Sequence, residues 1–569
     1  NHDMFISSAA LMVDGNFVAA GAEERFTRHK QTRDFPRQAI HFCLQQANCG
    51  MEDIDYVISS WNPGVYFQTF NPLLSARRRW KGEYLYSVPD HILSMHNTAN
   101  REGQAVQQSI TIEGHTCRIH YITHHRAHAG NAFFLSPFAE AAILTADSQG
   151  ETEATTFAHG SGHAIQHLKS ILYPQSVGGF YSTITEYLGF RPNSDEWKVM
   201  ALASYADARN EYTSLFKNHL YTLLPEGEYE FDLTYLQGFL HDLPHLFSPK
   251  LEALLGPSRQ KGDPLTERHY AIAAALQHCS EEIALHMLRW LHEKTQSKRL
   301  AVSGGFFMNS VLNGKIPQNS PFEEIYVSSC PDDSGAALGA VAYFYHHVLG
   351  HEQRQVMKHN FFGPQYSNAE IQETLSKYKL QAKTVEDIET HTAELISQGL
   401  LIGWFQGRME FGQRALGNRS ILADPRSSEM KDRVNQAVKY RETFRPFAPA
   451  VLKEKANHYF EMDKNIEVPF MEKVYPIRPQ KRAEIPAVTH VDGSGRLQTV
   501  SADTNPRFYR LIQQFEAITG VPVLLNTSFN LNGEPIVCTP TDAIRTFFSC
   551  GLDVLVMGNH VLCKSSDNK

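Results

Sequence analysis

Twice in this chain an apolar run of strand length stops at glycine or aspartate and passes straight into helical spacing. The two stretches are "RLAVSGGFFMNSVLNGKI" from Arg299 and "EIYVSSCPDDSGAALGAVAYFY" from Glu324. A strand that leaves through a small polar turn into a helix is the repeating unit of an α/β sheet. Such sheets place ligands where the strands' carboxyl ends meet helix N-termini. Upstream, "RIHYITHH" reads as a strand feeding a helix, and "AEAAILTADSQGETEATTFAHG" as strand, acidic turn and strand. The fold class expected is α/β. At the start, "SSAALMV" and "NFVAA" flank Asp14-Gly15, a hairpin signal, before a charged loop. Then "AIHFCLQQA" has helical spacing, "IDYVISSW" reads as a buried strand, and "LTERHYAIAAALQHCSEEIALHMLRWLHEKT" as one long amphipathic helix.

A chain of 569 residues exceeds what one hydrophobic core supports. The apolar periodicity lapses in "HEQRQVMKHNFFGPQYSN", residues 351–368, where a Gly-Pro turn appears. A boundary near 355 divides the chain into lobes 1–354 and 355–569. In the second, "AEIQETLSKY" and "HTAELISQG" are helical, and "LLIGWFQ" and "VPVLLNTSFN" are strands. Hydrophobic residues make up 42% and charged residues 20%, with no apolar run long enough to span a bilayer. No secretory signal follows Asn1, and the 8 cysteines form no CxxC, so a reducing cytoplasm is expected. A net charge of −8 disfavours nonspecific binding to nucleic acid or to an anionic membrane.

In "HHRAHAGNAF", His124 and His128 stand four apart on a predicted helix and share a face, while His125 points elsewhere. A chain with 28 His produces such pairs by accident, so two ligands do not make a site. Asp147 after "ILTA" and Asp333 in "CPDDSG" are the carboxylates that could complete one. Such N/O ligation without thiolate suits Fe(II), Mn(II) or Zn(II), and the residues alone do not choose. Taken singly, Asp147 also reads as a turn residue, and Asp332 and Asp333 as helix caps.

The second lobe concentrates Arg408, Arg414, Arg419, Arg426, Lys439, Arg441 and Arg445 in an acidic protein, interleaved with Gly412, Gly417, Phe411, Phe444, Pro446 and Phe447. The glycines and rings imply turns that position guanidinium forks, which favours phosphate binding over a solvated face. "NTSFN", residues 526–530, adds amide and hydroxyl donors at a strand end, and the Gly304-Gly305 turn suits a nucleotide weakly.

Eight motifs then occur in a familiar order: "HHRAHAGNAF", "DEWKVMALASY", "SGGFFMNS", "CPDDSGAALGA", "EFGQRALGNRSILADPR", "KYRETFRPFAP", "HVDGSGRLQTV" and "NTSFNLNGEPIVCTP". Across nearly its whole length the chain resembles the NodU/CmcH-type O-carbamoyltransferases. The resemblance implies an N-terminal ASKHA (actin and hexokinase-like) lobe of two subdomains, similar to the tRNA threonylcarbamoyl transferase, and a C-terminal YrdC-like lobe. It implies that the second lobe makes carbamoyl adenylate from carbamoyl phosphate and ATP, and that the first passes the carbamoyl group to a hydroxyl of a small natural product. By motif, His124, His128, Asp147 and Asp333 look like ligands of a divalent metal, with Fe the leading expectation and Mn or Zn as alternatives; Mg could accompany ATP. Gly304, Gly305 and Asn309 are implied near adenosine, with Lys198 in the "KVM" stretch and Lys30 against nucleotide phosphate. Lys439, Arg445, Arg496, Asn526 and Ser528 are implied at carbamoyl phosphate, with Arg414 close by. Lys439 and Arg445 would be catalytic there, and His2 would be the base that deprotonates the acceptor. Here the chain departs from the family's "HDASAAL"-like start, since Met4 to Ile6 separate His2-Asp3 from "SSAAL".

The acceptor pocket is expected in "WNPGVYFQTFNPLLSARRRWKGEYLYSVPDH", whose aromatics could equally be packing. The resemblance leaves a homodimer open. The rival readings are a tRNA-modifying threonylcarbamoyl-type enzyme, which the acidic balance disfavours, a non-catalytic nucleotide-binding scaffold, and a metallohydrolase that would leave the arginines without a role.

Overall fold

The computed structural model describes residues 6–62, 106–239, 243–439, 442 and 444–564. The chain divides into two compact units. The first comprises Asn1–Ala19, Arg33–Asn309 and Lys315–Met357, and the second Ala20–Thr32, Ser310–Gly314 and Lys358–Lys569. The expectation was one boundary near 355. By packing, the division follows Met357, and two short segments before it, Ala20–Thr32 and Ser310–Gly314, group with the second unit instead of the first. The reason is long-range bonding that no sequence window contains: Arg25 donates to Gly412 O, and Arg28 to the carbonyls of Pro535 and Ile536.

The first unit is built on a five-stranded sheet ordered Glu324–Val327, Arg299–Ser303, Glu140–Ala146, Glu153–Ser161, Ala164–Leu172. The first three strands run parallel, with Leu300 opposite Ala142 on one side and Ile325 on the other. The last two run antiparallel. Burial is nearly continuous along Glu140–Ala146 and Arg299–Ser303, which is how a parallel strand covered on both faces reads in sequence. The three parallel strands therefore end together, and they lead into Asp147, Gly304 and the turn that holds Asp333. Helix Glu267–Thr295 starts with a capping box in which His269 replaces the usual acid, its Nδ1 accepting from Thr266 N at 3.0 Å.

Helix His124–Phe133 packs on this sheet and against helix Ala336–Tyr343. Small residues set the distance between the helices. A Cβ at Gly339 would lie 1.9 Å from Ala127 O, and one at Gly130 would lie 2.4 Å from Gly339 O. The run "SGAALGA" is thus what lets the histidine helix sit down. Gly339→Ala should destabilise the chain by about 1–3 kcal/mol, because the helices must separate. Urea unfolding checks this, and an unchanged midpoint would contradict it.

The second unit carries a nine-stranded mixed sheet ordered Lys383–Thr384, His560–Cys563, Val554–Met557, Ile402–Phe405, Arg419–Ala423, Val523–Ser528, Ala448–Leu452, Ser494–Val500, Lys473–Pro476. Only the pairs Ile402–Phe405 with Val554–Met557 and Ala448–Leu452 with Ser494–Val500 are parallel. Its core gathers Trp404, Ile421, Leu422, Val523, Leu525 and Leu555 with Leu511 and Phe515 of helix Pro506–Thr519. That helix packs against Ile388–Ser397.

Two local readings change. The charged segment after the first hairpin forms helix Glu23–Thr27, its residues Glu23, Glu24 and Arg25 buried. In "IDYVISSW" only Val57–Ser59 is a strand, and it is half-buried. Of the stretch expected to line the acceptor pocket, all but Trp61 and Asn62 lies outside the described residues. Among the described residues, no helix is long and apolar enough to cross a membrane.

Candidate functional site

In the first unit, one ligand atom from each of His124, His128, Asp147 and Asp333 lies within 4.8 Å of all the others, and all four residues are buried. The Nε2 atoms of the two histidines are 3.0 Å apart. His128 Nε2 is 3.1 Å from Asp147 Oδ2 and 3.8 Å from Asp333 Oδ1, and His124 Nε2 is 3.5 and 3.6 Å from the same atoms. Two donors bound at about 2.1 Å to one ion stand roughly 3.0–3.4 Å apart at angles between square and tetrahedral. The donor set therefore fits a divalent ion.

Two of the four side chains, Asp147 and His128, are held from behind. Asp147 Oδ2 accepts from Gly305 N at 3.0 Å and Oδ1 from Ser148 N at 2.7 Å. Gly304 makes that approach feasible at φ 100°, where a Cβ would lie 2.2 Å from Ala146 O. His128 Nδ1 meets Ser303 Oγ at 3.2 Å, which orients the ring. His125 points away as its position on the helix predicts, its Nδ1 2.7 Å from Thr145 Oγ1. Burial holds His125 well below the usual histidine pKa, and the nearby His124 and His128 lower it further. Glu151 caps the helix start, accepting from His124 N at 3.1 Å and from Asn62 N at 2.7 Å. Burial pushes its carboxyl up to about 7, against the pull of His124 and those N–H groups. Sequence reasoning missed Glu151, although it stands in the acidic turn singled out for Asp147.

The four side chains also set one another's ionisation. Burial alone would lower His128, but the bonds and charges of Asp147 and Asp333 raise it to about 9. Burial likewise opposes ionisation of Asp147, yet the two histidines hold it well below the carboxylate range. Because the folded value of His128 is raised, its contribution in metal-free protein is complete below the unfolded value near 6.5 and is lost as pH rises through about 9. A bound divalent ion does not titrate away. The gain in Tm from Mn(II) over chelator should therefore widen between pH 7 and 9. A gain that stays flat or shrinks would contradict the assignment.

In the second unit the sheet register puts a polar set on one face. Ser420 pairs with Ser528 and Leu422 with Asn526, and Gln498 and Arg496 alternate onto the same face of Ser494–Val500. Lys439, buried, donates from Nζ to Ser528 O at 2.6 Å, Asn530 Oδ1 at 2.9 Å and Asn530 O at 3.0 Å, with Ser528 Oγ at 3.4 Å. Arg445, 3% exposed, reaches Glu442 at 2.6 Å. Asn526 Nδ2 donates to Gln498 Oε1 at 2.8 Å and to Ala415 O at 3.2 Å, and Gln498 Nε2 to Leu416 O at 2.9 Å. Glu410 Oε1 accepts from the N–H groups of Leu416, Asn418 and Arg419 at 2.7–3.2 Å. The loop that carries half-buried Arg414 is thus wrapped on a carboxylate and pinned to the polar face. Gln498 and Glu410 were also missed, since neither residue type signals such a role by itself.

The arginine cluster does not act as one body. Arg419 is fully buried; it donates to Gln406 O at 2.6 Å and Pro364 O at 3.0 Å and stacks 3.7 Å from the Phe405 ring centroid. Arg408 donates to Phe362 O at 2.6 Å. Arg426 grips Asp424 with Nε and Nη2 at 2.6–3.0 Å. These three hold backbone and carboxylate. Arg441 lies outside the described residues, as does His2. Asn309 exchanges two bonds with Gln277, at 2.9 and 3.1 Å, in a buried network with Tyr181 and Glu281. Lys198 pairs with Asp195 at 3.0 Å on helix Glu196–Leu202. Lys30 is exposed and groups with the second unit, beyond Arg28.

Comparison with known proteins agrees over both units. Residues 2–342 match the family described as Carbamoyltransferase N-terminus, and residues 393–564 match Carbamoyltransferase C-terminus. An uncharacterized protein of Synechocystis is 37% identical over 98% of this chain and 95% of its own length. Nodulation protein NolNO of Sinorhizobium fredii is 38% identical over 99% of this chain and 80% of its own. The 3'-hydroxymethylcephem-O-carbamoyltransferase of Amycolatopsis lactamdurans is 30% identical over 77% of this chain and 79% of its own. With both halves matched in order, the chain belongs to the carbamoyltransferase family and is a transferase.

Proposed function

We propose that this carbamoyltransferase is an ATP-dependent O-carbamoyltransferase that activates carbamoyl phosphate in the second unit and delivers the carbamoyl group to an alcohol in the first. The observation that carries the reading is that each unit gathers its own buried polar side chains, Lys439 and Arg445 in one and two histidines with two aspartates in the other, which supports anion chemistry in the former and metal-ligand chemistry in the latter. In these terms the first unit is the ASKHA-like transfer domain and the second the YrdC-like domain.

Balance fixes the steps. Water attacks the phosphorus of carbamoyl phosphate, the P–O bond to the carbamoyl group breaks, inorganic phosphate leaves, and the bridging oxygen stays on the carbamate. That oxygen attacks the α-phosphorus of ATP and expels pyrophosphate, giving carbamoyl adenylate. The acceptor oxygen then attacks the carbamoyl carbon, AMP leaves, and the hydroxyl proton passes to a base. In the second unit the Lys439 ammonium, Arg445, Arg414 and Arg496 hold the phosphate oxygens, and Asn526 and Ser528 the small carbamoyl end. In the first, His124, His128, Asp147 and Asp333 would hold the ion, and the chemistry it would supply is Lewis-acid polarisation of the carbonyl. Ser303 keeps His128 oriented, and Gly305 and Ser148 keep Asp147 oriented, before substrate arrives.

The acceptor is read as a small hydroxylated molecule, the class named for the cephem relative. The test is pyrophosphate release on mixing protein, ATP and carbamoyl phosphate. Release that depends on carbamoyl phosphate is expected; no release with metal and acceptor supplied overturns the reading.

A further inference from the structure

We propose that Arg25 is a positioning residue of the anion site in the second unit. The proposal rests on reading that site as the place where carbamoyl phosphate is activated. Helix Glu23–Thr27 belongs to this unit, and Arg25 is only 4% exposed. Its Nη2 donates to Gly412 O at 2.6 Å, while its Nε lies 3.6 Å from Glu24 Oε1. Arg28, on the next turn, donates to Ile536 O at 2.6 Å and Pro535 O at 2.7 Å, and stands 3.5 Å from Asp542 Oδ1. The short helix therefore clamps two loops of the C-terminal sequence with one guanidinium each.

Gly412 is where the Arg414 loop turns, at φ 101°. On the far side of Arg414, Ala415 O accepts from Asn526 at 3.2 Å and Leu416 O from Gln498 at 2.9 Å. Arg414 is thus carried on a span tied at Gly412 by Arg25 and at Ala415 by a residue of the anion face. A guanidinium fork can hold phosphoryl oxygens only if its backbone is fixed to a fraction of an ångström. Cutting the Gly412 tether frees one end of the span without touching the substrate. A basic side chain near the N-terminus then governs activation, not the transfer step housed in the first unit.

The test is a double-mutant cycle read by carbamoyl phosphate-dependent pyrophosphate formation, with wild type, Arg25→Ala, Arg414→Ala and the double variant. Arg25→Ala should raise KM for carbamoyl phosphate by roughly tenfold to a hundredfold, the worth of one buried bond from a charged donor. If Arg25 acts through Arg414, the double variant should be no worse than Arg414→Ala. Arg25→Lys, which can still reach the Gly412 carbonyl, should recover part of the loss, and metal content should be unchanged throughout. If Arg25→Ala does not fold, the same cycle is run with Arg25→Lys and Arg25→Gln. Fully additive losses, or an unaltered KM, overturn the proposal while the wild type remains active. A wild type that releases no pyrophosphate sinks the reading of the site, and this proposal with it.

Discussion

Lys439→Ala should abolish carbamoyl phosphate-dependent pyrophosphate formation, lowering its rate by about a hundredfold or more, the usual scale for removing a preorganised charge from a transition state. The ammonium is buried and sits among the carbonyl of Ser528, the Ser528 hydroxyl and both oxygens of Asn530. The substitution also leaves those carbonyls short of a donor, so Tm should fall. The separation of causes lies in the metal content of the first unit, which should not change. Arg445→Ala should behave alike in pyrophosphate assays. Retained activity in both variants would show that the arginine-rich sequence is architecture only.

His128→Ala should do the converse. It removes one of the four proposed ligands and leaves Asp147 and Asp333 facing each other with one imidazole, so metal affinity should collapse and carbamoyl transfer should fall beyond detection. Pyrophosphate formation should survive, because no residue of the anion face belongs to the first unit. Elemental analysis and paired assays of the two half-reactions check this. Loss of pyrophosphate formation in a variant that still folds would defeat the division of labour.

Much of the fold was legible because its signals are local. Strand–Gly–helix punctuation gave the α/β class, and the i,i+4 spacing gave the shared face of His124 and His128. Bringing Asp147 and Asp333 to that face needed only the rule that parallel strands end together. What was illegible is what crosses the chain. Nothing near "EERFTR" indicates that Arg25 bonds a carbonyl at 412, so a single boundary near 355 was the natural reading. Nor does composition separate Arg419, which stacks on Phe405 and holds carbonyls, from Lys439 on the polar face. Charge in a sequence says how much is present, and only packing says which charges are already used. Glu151 and Glu410 show the same limit: each is a buried carboxylate that collects backbone N–H groups, a role visible only once the turn is closed.

The account is tested most directly by product stoichiometry in a single reaction. The chain is supplied with ATP, a divalent ion, isotopically labelled carbamoyl phosphate and a panel of hydroxylated metabolites, and products are counted by mass spectrometry. The prediction is one AMP and one pyrophosphate for every labelled carbamate ester, with one inorganic phosphate from the carbamoyl donor. A carbamate ester formed without consuming ATP, or ATP cleaved to ADP, would contradict it.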